Sequence, residues 1–233
     1  LARAPRFRML FLMSCAFSLV VGRALTRGGP STWGPSFLTG SSAYSLLLLG
    51  QVCIWNSFGF DRSAAQIYFL APLRFSQVLI AKNASASIWI ALQLAACTAI
   101  SMALGFPVTS LVVIEAAAVT AVAVLFLFSA GNFVSIRHAR PVDPQSSMRS
   151  RGAGGTQALL AFLAPLMYAP AALAYLARWA LKSEWAFFGV LALVGILGGI
   201  VYSIALESSV EEADKSKEAM VATLSAGQGP ISS

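Results

Sequence analysis

Six stretches of this chain are as long as a membrane-crossing helix and almost free of charge, at approximately 9–25, 43–60, 84–105, 108–133, 157–177 and 185–206. Only Arg23 in the first and Glu115 in the fourth interrupt them with a charged side chain. With 58% hydrophobic and 11% charged residues over 233 positions, a soluble domain would leave much of this apolar surface in water. The pattern predicts an all-α, polytopic membrane protein with six transmembrane helices, a single membrane domain over 1–206 and a largely disordered tail over 207–233. The first run has no small-residue cleavage site and the chain stays apolar after it, so it reads as a span and not as a cleaved leader.

Lysine and arginine positions orient the spans. With the N-terminus inside, the inner segments hold Arg3, Arg6, Arg8, Arg62, Arg74, Lys82, Arg137, Arg140, Arg149, Arg151, Lys215 and Lys217, and the outer ones only Arg23, Arg27, Arg178 and Lys182. This bias predicts both termini in the cytoplasm, with the chain in the cytoplasmic membrane. It puts Trp55 and Trp89 near the inner interface and Trp33, Trp179 and Trp185 near the outer one, where indole rings prefer to sit. The net charge of +7 is then spent on topology and on anionic lipid at the cytoplasmic face, strongest in the loop from Arg137 to Arg151, and no nucleic acid is expected as a partner.

Between the second and third runs lies "GFDRSAAQIYFLAPLRFSQVLIAKN", residues 59–83, which carries the charges and the proline that those runs lack. Ser63 with Gln66 reads as a capping box opening a short helix at Ala64. Pro72 ends that helix and fits the first turn of a second, over 72–82, whose Phe75, Val78 and Leu79 share one face while Arg74, Ser76 and Gln77 point elsewhere. Such an element either lies in the headgroups, anchored by Arg74 and Lys82, or docks in a groove on a soluble partner through Phe75 and Leu79.

The turn "FGFD" (Phe58, Gly59, Phe60, Asp61), followed by Pro72 in "YFLAPLRFSQVLIAKN" and the closing pair Lys82 and Asn83, resembles the type-2 permease family of ATP-binding-cassette transporters. The resemblance implies six spans and a cytoplasmic coupling helix between the second and third. That helix would contact a separate ATPase subunit through Arg74, Phe75, Gln77, Val78, Leu79 and Lys82. It implies ATP and Mg bound on that partner and no cofactor bound directly by this chain. A second permease half, as a homodimer or pseudo-dimer, and export as the direction of transport are also implied. Two features depart from the family. Only "LARAPRFR" precedes the first run, and the link at about 178–184 is too short for re-entrant helices unless Pro165 and Pro170 break the fifth span. A first residue of Leu fits the C-terminal part of a longer permease.

Several chemistries lack their residues. "RGAGGT" (151–156) has the glycines of a phosphate loop without its lysine, so if ATP drives this protein another chain must hydrolyse it. His138 is the single histidine, Asp61 and Asp143 fall in separate loops, and Cys15, Cys53 and Cys97 fall in three different spans, so no catalytic dyad and no metal site is expected. Glu115 is the exception. It lies about seven residues into the fourth span, roughly 10 Å along the axis, and facing lipid there would cost a few kcal/mol. It therefore faces the bundle, a cavity or a partner such as Gln93, either as an interhelical hydrogen bond or as a point on a substrate path formed by Glu115 and Gln93.

Small residues at Ser87, Ala91, Ala95, Ala99 and Ala103, and the pair Gly195 and Gly199, mark faces on which another helix can lie close. The Glu211 to Lys215 pair extends the last span by a turn or two. An intramembrane enzyme acting on lipid-linked substrate is the rival reading, and beyond Glu115 its polar groups are only Gln51, Asn56 and Gln93. A scaffold with no transport cycle is a third.

Overall fold

The computed structural model describes residues 5–25, 35–142 and 154–225, with the side chains of 6, 23, 25 and 154–167 outside that description. Arg27, Trp33, Asp143, Arg149, Arg151 and the tail from 226 onward therefore lie outside the described residues. The described residues form helices joined by turns, with no strand among them. The helices are α1 (Pro5–Leu25), α2 (Phe37–Cys53), α3 (Ile67–Leu70), α4 (Phe75–Ala103), α5 (Ser110–Arg137), α6 (Gly154–Leu181) and α7 (Glu184–Ser225), with a 3-10 turn at Arg62–Gln66. The six long helices alternate in direction, so that α1 starts and α7 finishes at one end of the bundle, here called proximal. The far end holds the turns between α4 and α5 and between α6 and α7.

Among the described residues, three helices, α4, α5 and α7, are long and apolar enough to cross a membrane. Phe7–Gly22 within α1 and α2 are apolar but shorter. A water-facing molecule would not present Leu193, Ile196, Leu197, Ile200 and Ile204 in a row along α7, each more than half exposed. That face suits hydrocarbon.

Local chemistry explains most of the boundaries. Ser36 caps α2 by accepting from the Thr39 amide at 3.2 Å. At the far end Gly105 takes φ of +72°, where a side chain would be strained, and Thr109 then caps α5. The second apolar run does not become a helix over 43–60. α2 begins at Phe37 and stops at Cys53, and the chain turns through 54–61 because Trp55 and Phe58 find cover in the turn itself, at 4% and 0% exposure. Trp55 and Trp89 accordingly pack within the bundle, Trp89 edge-on to Phe7 at 4.8 Å, whereas Trp179 and Trp185 at the far end are exposed. α6 continues through Pro165 and Pro170 without a break, as prolines within membrane helices allow when neighbours satisfy the freed carbonyls.

The principal packing is α5 on α7 and α1 on α2. Gly198, one residue from the expected small pair, is the α7 glycine that is buried, and an added Cβ there would crowd Phe126 at 3.1 Å and Leu125 at 3.3 Å; Gly195 meets Val122, and Gly199 meets nothing. The small stripe of α4, Ser87, Ala91, Ala95, Ala99 and Ala103, lies on its exposed side and takes no part in packing this bundle.

Candidate functional site

The proximal end gathers the residues that set 59–83 apart. The "FGFD" turn and the "KN" pair meet in space: Lys82 Nζ donates to Asp61 and to the Ser57 carbonyl at 3.1 Å, and lies 5.1 Å from the centre of the Phe58 ring and 5.5 Å from that of Tyr68. Asn83 donates to the Tyr202 hydroxyl at 2.9 Å, tying α4 to α7. Burial, and then the neighbouring Asp61 carboxylate, push the Tyr68 phenol up to about 12, so it stays protonated at any physiological pH.

Gly59 sits where segment 140–142 crosses the turn. The Val142 amide donates to the Gly59 carbonyl at 2.8 Å, and Asn56 exchanges two hydrogen bonds with the Arg140 backbone at 2.9 and 3.1 Å. A Cβ on Gly59 would lie 2.8 Å from the Arg140 carbonyl oxygen, so even alanine forces the crossing apart. Gly59→Ala is expected to lower the midpoint of thermal unfolding by several degrees, the shift of a roughly 1–3 kcal/mol overpacking penalty. An unchanged midpoint would show that the crossing is loose.

Residues 62–82 differ from their expected form. Ser63 caps nothing, since the 3-10 turn begins at Arg62 with Asp61 at its N-cap and no side-chain bond there. The second short helix over 72–82 is not separate: Phe75 opens α4, which runs unbroken to Ala103, with Pro72 in the bend that precedes it. Phe75, Val78 and Leu79 are 7%, 7% and 0% exposed, packed with Phe58, Ala65 and Ile136 beneath Ala213, Met220 and Leu224 of α7. They face the chain's own core, because α7 does not end near 206. It extends to Ser225 as one 42-residue helix, about 63 Å at 1.5 Å per residue. Its buried Ser209, Ala213, Met220 and Leu224 form a stripe laid along 62–79. That stripe was the signal to read, a spacing of four, seven and four hidden by a strongly charged opposite face. Left exposed at the tip are Ile67, Leu70, Leu73, Arg74 and Gln77, Leu70 at 82%. Beside Leu70, a shallow apolar groove of about 220 Å³ runs between Phe69 on α3 and Lys217 and Val221 on α7.

The far end holds the ionic cluster. Glu115 is 4% exposed; its Oε1 accepts from the Ser36 amide (2.9 Å), Thr39 Oγ1 (3.0 Å) and the Tyr175 hydroxyl (2.9 Å), and its Oε2 from Arg178 at 2.9 Å. Arg178, 3% exposed, also pairs with Glu184 at 2.8 Å and lies 4.0 Å from the centre of the Phe187 ring. One carboxylate thus pins α2, α5 and α6, and through Arg178 the start of α7. Gln93 is not its partner. It is buried on α4 and donates to Ser14 of α1 at 2.5 Å. Glu115 and Gln93 therefore belong to two separate interhelical contacts. No group of three or more metal-ligating side chains occurs among the described residues.

Compared with protein-family models, curated proteins and solved structures, the chain has no match.

Proposed function

We propose that this chain is the six-span permease subunit of an ATP-driven transporter, an exporter, whose proximal end faces the cytoplasm and engages a separate ATPase subunit. The observation that carries this reading is the mechanical form of residues 59–79. The segment is tied to the bundle by the Asp61–Lys82 pair and the Gly59–Val142 hydrogen bond, and is covered from one side by the last 19 residues of α7. It nevertheless presents Ile67, Leu70 and Leu73 outward beside Arg74 and Gln77. An element that is rigid toward the spans and apolar toward the outside can transmit a push, whereas a helix floating in headgroups cannot. The partner's side is an apolar cleft with an acidic rim for Arg74, and the partner subunit binds ATP and Mg at a site of its own. A second permease half completes the translocation path, and anionic lipid meets the arginines at the cytoplasmic face, Arg137 among them.

The test is photo-crosslinking in native membranes from a reactive amino acid placed at Gln77 and, separately, at Leu70, with adducts identified by mass spectrometry. An ATPase subunit captured from both positions is the expected result. Lipid adducts alone, from a well-expressed chain, would replace the coupling element with an interfacial helix.

A further inference from the structure

At the proximal end, between α2 and α4, lies a recessed cavity of about 240 Å³ lined by the Asp61–Lys82 pair with Val52, Ser57, Phe60 and Ser85. Drug-sized ligand pockets run to roughly 300–1,000 Å³, so this one has the capacity of a polar headgroup. Both charged side chains remain reachable, Lys82 at 21% and Asp61 at 20% exposure. Of the three ammonium hydrogens of Lys82, one goes to Asp61 and one to the Ser57 carbonyl, leaving a donor for a ligand.

We propose that this cavity binds the phosphate–ammonium headgroup of a zwitterionic phospholipid with a primary amine, phosphatidylethanolamine in chemical class. Charge selects the ligand. The two side chains neutralise each other, so an anion alone would meet Lys82 against the repulsion of Asp61, and a cation alone the reverse. A ligand carrying both signs completes an alternating square, its phosphate on Lys82 and its ammonium on Asp61. A primary ammonium also donates to the Asp61 carboxylate and to the Ser57 and Ser85 hydroxyls, which a quaternary ammonium cannot do.

The path for the acyl chains identifies the source as the membrane. Ser85 in the cavity wall is followed on the same face of α4 by Ile88 and Leu92, three and seven residues on, exposed by 61% and 49%. A headgroup seated at Ser85 therefore has an apolar track running from it along the helix. This site is independent of the transport reading, since it needs only a membrane at the proximal end.

The experiment uses the full chain in nanodiscs of phosphatidylethanolamine, phosphatidylcholine and phosphatidylglycerol in equal parts, then native mass spectrometry of the lipids it retains. One phosphatidylethanolamine kept about tenfold over each of the others is expected, a difference of about 1.4 kcal/mol. Ser85→Phe, which fills the cavity from its rim and leaves the ion pair intact, should erase that preference, as should Asp61→Asn combined with Lys82→Gln. Equal retention of the three lipids, preference for phosphatidylglycerol, or full retention in Ser85→Phe would overturn the proposal. Soluble phosphoethanolamine is added as a competitor in a parallel arm. Its binding in place of the lipid would overturn the membrane source.

Discussion

Arg178→Met is expected to destabilise the bundle by about 3–5 kcal/mol, the cost of leaving one member of a buried pair without its partner. With Arg178 gone, Glu115 keeps the Ser36 amide and the Thr39 and Tyr175 hydroxyls on Oε1, but Oε2 faces a low-dielectric interior with its charge uncompensated. Glu184 loses the same partner at a much wetter position, 43% exposed, so Glu184→Gln should cost no more than about 1 kcal/mol. Glu115→Gln falls between them, because an amide keeps an acceptor for the hydroxyls while losing the ionic part. Reversible unfolding in micelles of the three variants, with the Glu115→Gln, Arg178→Met double mutant closing the cycle, measures the coupling. A loss below about 1 kcal/mol for Arg178→Met would mean that water reaches the cluster, and would make it a wet point on a translocation path.

The second expected result separates a core residue from a contact residue on the same short segment. Leu79→Ala should cost about 2–5 kcal/mol in micelles with no partner present, since Leu79 is fully buried between α4 and α7. Leu70→Asp should leave stability within about 0.5 kcal/mol, because Leu70 is 82% exposed and covered by nothing in the chain. Under the transport reading the same Leu70→Asp stops ATP-driven transport while the protein still inserts and folds. Phe75→Asp is the wrong test of docking: it places a carboxylate against Phe58 and Phe69, whose rings stack on Phe75 at 5.8 and 5.1 Å, and would damage the fold itself. Wild-type transport by Leu70→Asp would sink the coupling role of this tip.

Hydropathy made the helical class legible because it is a local property: a long uncharged run in lipid must satisfy its backbone hydrogen bonds within itself, and a helix does so. It was less able to say where such a run ends. The run at 43–60 looks uniform, but Gly59 and Trp55 make its last residues a compact turn, and compactness depends on segment 140–142 arriving to cover them. The extension of α7 was missed for a related reason. Glu211, Lys215 and Lys217 dominate the composition there, while the packing stripe is built from Ser209, Ala213, Met220 and Leu224, half of them small residues with little hydropathy.

Sequence alone determined that Glu115 could not face lipid, since the charge is costly wherever hydrocarbon surrounds it. It also determined that Phe75, Val78 and Leu79 share one face, since helical spacing puts them there. Only the tertiary structure decided what covers them. Glu115 meets Arg178, 63 residues away along the chain, and not Gln93; the Phe75 face meets Ala213, Met220 and Leu224 of α7. The physical reason is that periodicity and desolvation act through the residue's own position, whereas the identity of a packing partner depends on how helices distant in sequence are brought together.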